Sequence, residues 1–150
     1  MTRAFLRRSL LALAAVGLLA GPALADGTGF KPEIKYAEVN GVKLAYYMRG
    51  QGKPLLMING FLSSMSLWDP ALLESLEKTH TLILFDNRGV GLSTDTAENN
   101  TTIPQMADDA AALIGALGLD KPDVLAWSMG ARIGQQLLIR HPGAVGKAVL

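Results

Sequence analysis

Apolar positions along the chain follow two periods. Leu55 to Ile58, Thr81 to Phe85, Val124 to Trp127 and Lys147 to Leu150 are nearly continuous apolar runs, the pattern of strands covered on both faces as in a parallel sheet. Ile34 to Val39 and Val42 to Met48 are strand-like and flank Asn40-Gly41, a pair suited to the positive φ angles of a two-residue hairpin. Between the later runs the period changes to helical. Asp69 and Pro70 supply an N-cap and a first-turn proline ahead of Leu72, Leu73 and Leu76, with Leu72 and Leu76 on one face. Thr102 stands three residues before Gln105, as in a capping box, and Met106, Ala110, Leu113 and Leu117 continue one stripe toward a stop at Gly118. Met129, Ile133 and Leu137 mark a third helix, whose Gly130, Ala131 and Gly134 permit close approach to a sheet. The alternation predicts an α/β fold, a mostly parallel sheet opened by an antiparallel hairpin.

The first 25 residues obey another rule. Arg3, Arg7 and Arg8 precede an apolar run from Leu10 to Leu19, followed by Ala23-Leu24-Ala25. That is the layout of an export signal with cleavage between Ala25 and Asp26. The run is shorter than the ~20 apolar residues that span a bilayer, so the expectation is an exported, periplasmic or secreted protein without a stable membrane anchor. Residues 26–150 then read as one domain or part of one. A total of 150 residues is short for a sheet with helices on both faces. The apolar ending Lys147-Ala148-Val149-Leu150 suggests a chain that stops inside its sheet.

Composition removes several function classes. A net charge of +1 offers no electrostatic footprint for nucleic acid, and a small-molecule substrate fits better. With no cysteine, disulfides and thiolate catalysis are excluded. No His/Asp/Glu cluster has metal-ligand spacing. Asn99-Asn100-Thr101-Thr102 contains two overlapping N-x-T triplets, which read more simply as a polar loop than as glycan acceptors. Nothing in the sequence sets an oligomeric state.

Candidate chemistry centres on Val124 to Ala131. A buried strand turns abruptly into a helix at Ser128, with the small residues Ala126 and Gly130 two positions to either side. Such a turn lifts a serine hydroxyl clear of the sheet and aims helix-start N–H groups at developing negative charge, a setting for a nucleophile. Serine is also a preferred helix N-cap, which is the simpler role. Two other segments bear on the choice. Leu55 to Ser64 is a buried strand followed by a turn at Asn59-Gly60, whose N–H groups can lie at the mouth of the sheet near Ser128. Phe85 to Ser93, FDNRGVGLS, reads as a braced loop in which Arg88 hydrogen-bonds carbonyls or pairs with Asp86. Its Gly89-x-Gly91 lacks the third glycine of a dinucleotide fingerprint and the lysine of a P-loop, so no cofactor site is implied.

Together these segments resemble the α/β-hydrolase family in order and spacing from about Ile34 to Leu150. Ala126-x-Ser128-x-Gly130 is similar to its G-x-S-x-G nucleophile elbow, with alanine for the first glycine. FDNRGVGLS is similar to its F-D-x-R-G-x-G-x-S signature, and Asn59-Gly60-Phe61 stands where the family has H-G-x. The resemblance implies Ser128 as nucleophile and the backbone N–H groups of Phe61 and Met129 as the oxyanion hole. It implies a hydrolase such as a small bacterial esterase, a perhydrolase-like haloperoxidase or a proline iminopeptidase. Such a serine needs a histidine and an orienting acid. His80 precedes its strand, at the opposite sheet end from Ser128, and His141 closes the helix that Ser128 opens, ~20 Å away. The helix end explains His141 through charge balance, and Asp86 is better suited to bracing than to catalysis. In the family the acid and histidine follow the nucleophile, so they are expected beyond Leu150 and the 150 residues alone are expected to be inactive. The substrate implied is a carboxylic ester or related acyl compound, attacked through an acyl-enzyme. The alternative from another class is a non-catalytic α/β-hydrolase-fold protein that holds a small molecule.

Overall fold

The computed structural model describes residues 30–98 and 101–150. The expected export signal and the N-x-T asparagines lie outside them. Six strands form one sheet: β1 (Lys35–Val39), β2 (Val42–Gly50), β3 (Lys53–Ile58), β4 (His80–Phe85), β5 (Asp123–Ala126) and β6 (Ala148–Val149). Their order is β1-β2-β4-β3-β5-β6. β1 and β2 pair antiparallel, as do β2 and β4, whereas β4, β3, β5 and β6 run parallel. Asn40 and Gly41 both adopt left-handed φ, at 47° and 78°, which makes the hairpin turn the one its sequence anticipated.

Three helices cover the sheet: α1 (Pro70–Leu76), α2 (Ile103–Ala116) and α3 (Met129–Arg140). Caps explain where α1 and α2 start. The Asp69 carboxylate accepts from the N–H groups of Ala71 and Leu72, and the Thr102 hydroxyl accepts from Gln105 N. Strand alternation divides the continuous apolar runs between two faces. Leu56, Ile58, Ile83 and Phe85 pack with α2 and α3 residues such as Ala110, Leu113, Ile133 and Leu137. Leu55, Met57, Leu82 and Leu84 pack on the other face with Met65, Trp68 and Leu73. In α1 the inward residues are Leu73 and Leu76, while Leu72, expected on the packing face, is exposed. A seven-residue helix buries only one narrow face, and here it falls one position later.

The topology determines where a ligand can reach the sheet. From β3 the chain passes through α1 to β4 on one side, while from β5 it passes through α3 to β6 on the other. β3 and β5 are neighbours, with Ile58 opposite Ala126. Their outgoing connections therefore diverge, leaving a crevice at the carboxyl ends where open α/β sheets bind ligands.

Candidate active site

Ser128 sits at that crevice. β5 ends at Ala126, one residue earlier than its apolar run implied, and α3 begins at Met129. Between them Ser128 adopts φ 57°, ψ −123°, a conformation that an L-residue with a side chain holds only when its surroundings enforce it. Those surroundings are identifiable. Trp127 N donates to Ile58 O, at 3.4 Å. Gly130 lies so close to the end of β3 that a Cβ would stand 2.7 Å from Asn59 O and overlap Ile58 O. Glycine at 130 is thus required by packing as well as by the turn. The Ser128 side chain makes no capping hydrogen bond and is exposed. The helix-cap role is therefore not the one it plays.

The turn after β3 faces it. A Cβ on Gly60 would lie 3.2 Å from Ser128 Cβ and 3.3 Å from the Trp127 ring, so the two turns touch. Ser63 N donates to Gly60 O at 3.3 Å, closing a turn in which Leu62 takes φ 52°. Ser63 Oγ donates to Phe61 O, also at 3.3 Å. The loop is fastened to the end of β4 by two side-chain amides. Asn59 Nδ2 donates to Phe85 O at 3.3 Å, and Asn87 Nδ2 to Asn59 O at 3.4 Å. Asn59, where the resemblance has histidine, thus braces the loop by its amide while its Oδ1 stays buried without a partner among the described residues. Neither Phe61 N–H nor Met129 N–H donates to any described residue. Two donors held on rigid turns and left unsatisfied are what an oxyanion hole requires.

The loop after β4 braces the site from below. Asp86 is buried and accepts from Met65 N at 2.7 Å through one oxygen and from Leu92 N at 2.8 Å through the other. Burial raises its pKa and the two N–H bonds oppose the rise. Both oxygens are committed, which matches a bracing role. Gly91, at φ 55°, has no room for a Cβ, which would lie 2.6 Å from Asp86 Cγ. Arg88 does not pair with Asp86 as its place in the sequence suggested. Its Nε and Nη2 donate to the two oxygens of buried Asp109 on α2, at 2.5 and 2.7 Å, and Asn40 Nδ2 adds a 2.8 Å bond. Asp86 is already satisfied by backbone, and the guanidinium fork fits a carboxylate in two-point contact. Asp109 escaped the sequence reading because its partners lie 21 and 69 positions away.

Both histidines lie elsewhere. His80 opens β4 opposite Lys53, at the other end of the parallel strands, with Nδ1 2.9 Å from Thr79 Oγ1. His141 caps the end of α3, with Nε2 2.7 Å from Asp108 Oδ1. Arg140, then His141, hold the Asp108 carboxyl down at about 2. Among the described residues no group of three His, Asp or Glu side chains is placed to hold a metal.

An open α/β sheet with a strained serine between strand and helix at its switch point defines a hydrolase-type scaffold. The chain belongs to the alpha/beta hydrolase fold family, whose model matches residues 53–150. It is 39% identical over 110 residues to the Mycobacterium tuberculosis protein named "Putative non-heme bromoperoxidase BpoC", covering 73% of this chain and 41% of that one. It is 33% identical over 91 residues to an Escherichia coli protein named "Putative carbamate hydrolase RutD", covering 61% of this chain and 33% of that one. Among solved structures, an alpha/beta hydrolase fold protein from Chitinophaga pinensis superposes with a TM-score of 0.71 at 36% identity, covering 78% of this chain and 42% of that one. The chain spans less than half the length of each of these relatives.

Proposed function

We propose that the protein is a serine hydrolase of carboxylic esters or related acyl compounds. The observation that carries this reading is the state of Ser128: exposed, uncapped, and held at φ 57° against the Gly60 turn, with the N–H groups of Phe61 and Met129 without a partner among the described residues. Attack by Ser128 Oγ on a carbonyl carbon forms a tetrahedral oxyanion, which the N–H groups of Phe61 and Met129 stabilise. Collapse expels the alcohol and leaves an acyl-enzyme, and water then releases the acid. A serine hydroxyl needs a base to accept its proton, and neither histidine of this sequence is near it. In the relatives' longer chains there is room for one. The base and its orienting acid accordingly come from sequence following Leu150, in the order serine, acid, histidine, and residues 1–150 alone turn over activated esters poorly.

The test is p-nitrophenyl acetate hydrolysis by the full-length protein and by Ser128→Ala. Loss of turnover on the order of 10⁶-fold is expected, since removing a catalytic serine leaves only binding and the oxyanion hole. Undiminished turnover in the variant would refute the assignment. The reading includes export, on the strength of Arg7-Arg8, the apolar run and Ala23-Leu24-Ala25. N-terminal sequencing of the exported protein is expected to begin at Asp26, and a product retaining Met1 would contradict it.

A further inference from the structure

Between the Phe61 turn, the loop after β4 and the first turn of α2 lies a cavity of about 270 Å³. Phe61 and Met129, which carry the two proposed oxyanion donors, both line it. Ser128 does not line it, but adjoins it through Met129, the next residue in the chain, so the cavity lies on the serine's side of the crevice. The walls are mainly apolar, formed by Leu62, Val90, Ile103 and Met106 together with Phe61 and Met129. The floor differs. Arg88 lines the cavity with its side chain fully buried, and Asp109 occupies only Nε and Nη2. Its Nη1 has no hydrogen-bond partner among the described residues, with the Asp95 carboxylate at 3.9 Å.

A buried N–H left unpaired is costly and seldom tolerated without a reason. Arg88 is already neutralised by Asp109, and Asp95 lines the same cavity. A ligand carboxylate would face that second negative charge, whereas a neutral oxygen would accept from Nη1 without repulsion. The first turn of α2, which carries no acidic residue, favours the same electron-rich group. At roughly 30 Å³ for each water-sized group, the cavity holds on the order of nine such groups. A short chain fills it, and the remainder of a longer one runs out into solvent.

We propose, resting on the serine-hydrolase reading above, that this cavity is the acyl subsite and selects a short acyl chain bearing a neutral oxygen acceptor. A ketone, hydroxyl or ether oxygen accepts a hydrogen bond from Arg88 Nη1 while the chain lies against Phe61, Ile103 and Met106.

The experiment compares the full-length protein on p-nitrophenyl 4-oxopentanoate and on 4-methylpentanoate, nearly the same shape without the ketone, each corrected for its spontaneous hydrolysis. The oxo ester is expected to lead in kcat/KM by about tenfold, the scale of one charge-assisted hydrogen bond, and the decanoate to trail by a similar factor. Ile103→Trp fills the cavity from α2 and Val90→Trp fills it from the opposite wall. Either is expected to bring the oxo-to-methyl ratio close to one. A ratio near one in the unmodified protein, with hydrolysis still dependent on Ser128, overturns the subsite and leaves the serine-hydrolase reading standing. A tenfold ratio that survives both tryptophans overturns its location. No turnover of any ester, with no fluorophosphonate label on Ser128, overturns both.

Discussion

The two ends of the parallel strands hold their polar groups in opposite states. At the amino ends, Lys53 Nζ donates to Asp123 Oδ1 at 2.6 Å, Arg49 Nε meets Glu77 Oε2 at 2.5 Å, and His80 meets Thr79. These groups answer one another, several of them in contact with solvent. At the carboxyl ends the side chains that brace the loops are buried and paired, while Ser128 Oγ and the N–H groups of Phe61 and Met129 are left open. Of the four described non-glycine residues with left-handed φ, two, Leu62 and Ser128, stand there as well. Strain persists only where surrounding structure overrides it. The brace and the open groups are thus parts of one device.

Breaking the brace should therefore cost far more than breaking a pair at the other end. Asp109→Ala leaves the Arg88 guanidinium buried without its carboxylate and is expected to destabilise the fold by about 3–5 kcal/mol in urea unfolding. Gly130→Ala drives a methyl group into the carbonyls of Ile58 and Asn59. The expected loss is about 1–3 kcal/mol, as for overpacking in a tight core, with ester turnover reduced as the Ser128 turn shifts. Lys53→Ala removes a pair whose lysine is 48% exposed, and a change below about 1 kcal/mol is expected in the same assay. Equal losses from Asp109→Ala and Lys53→Ala would erase the contrast between the two ends.

Acid titration sharpens it further, since the two ends carry carboxylates shifted in opposite directions. Lys53 and the Lys147 N–H hold Asp123 below its ordinary value of 3.8. Its stabilisation is complete above that value and is lost as pH falls below it. Burial raises Asp86 above 3.8. Its folded form holds a proton more tightly than the unfolded chain, so the stability it contributes declines as pH rises from 3.8 toward the raised value. In unfolding curves between pH 2 and 6, Asp123→Asn is expected to flatten the acid limb and Asp86→Asn to remove an opposing slope. Identical slopes in both variants and the parent would contradict the assignment.

What could be read from the sequence was local. The Asn40-Gly41 turn, the Asp69 and Thr102 caps, and the break at Ser128 are each encoded within a few residues, by φ preference or by a side chain answering its own backbone. The antiparallel hairpin and the parallel runs followed from period alone. The β2–β4 pairing and the strand order depend on contacts between distant segments, which period does not carry. The same holds at the site. Motif and resemblance single out Ser128, Phe61 and Met129 as candidates, but the grip of Asn59 and Asn87 on neighbouring strand ends, and the Arg88–Asp109–Asn40 cluster, join residues whose types alone do not name their partners. An aspartate in the middle of a helix's apolar stripe was the one available hint that Asp109 is buried and paired. On α1, a single short face left the choice between Leu72 and Leu73 to tertiary packing.

The central claim is that the fold makes Ser128 a nucleophile rather than a helix cap. Fluorophosphonate labelling of the full-length protein followed by peptide mapping tests it most directly, because phosphonylation of an activated serine, in which Oγ displaces fluoride from phosphorus, draws on the same hydroxyl and the same two N–H donors. The account predicts one labelled site, Ser128, with labelling abolished in Ser128→Ala. A probe recovered on any other residue, or labelling unchanged in the variant, would contradict it.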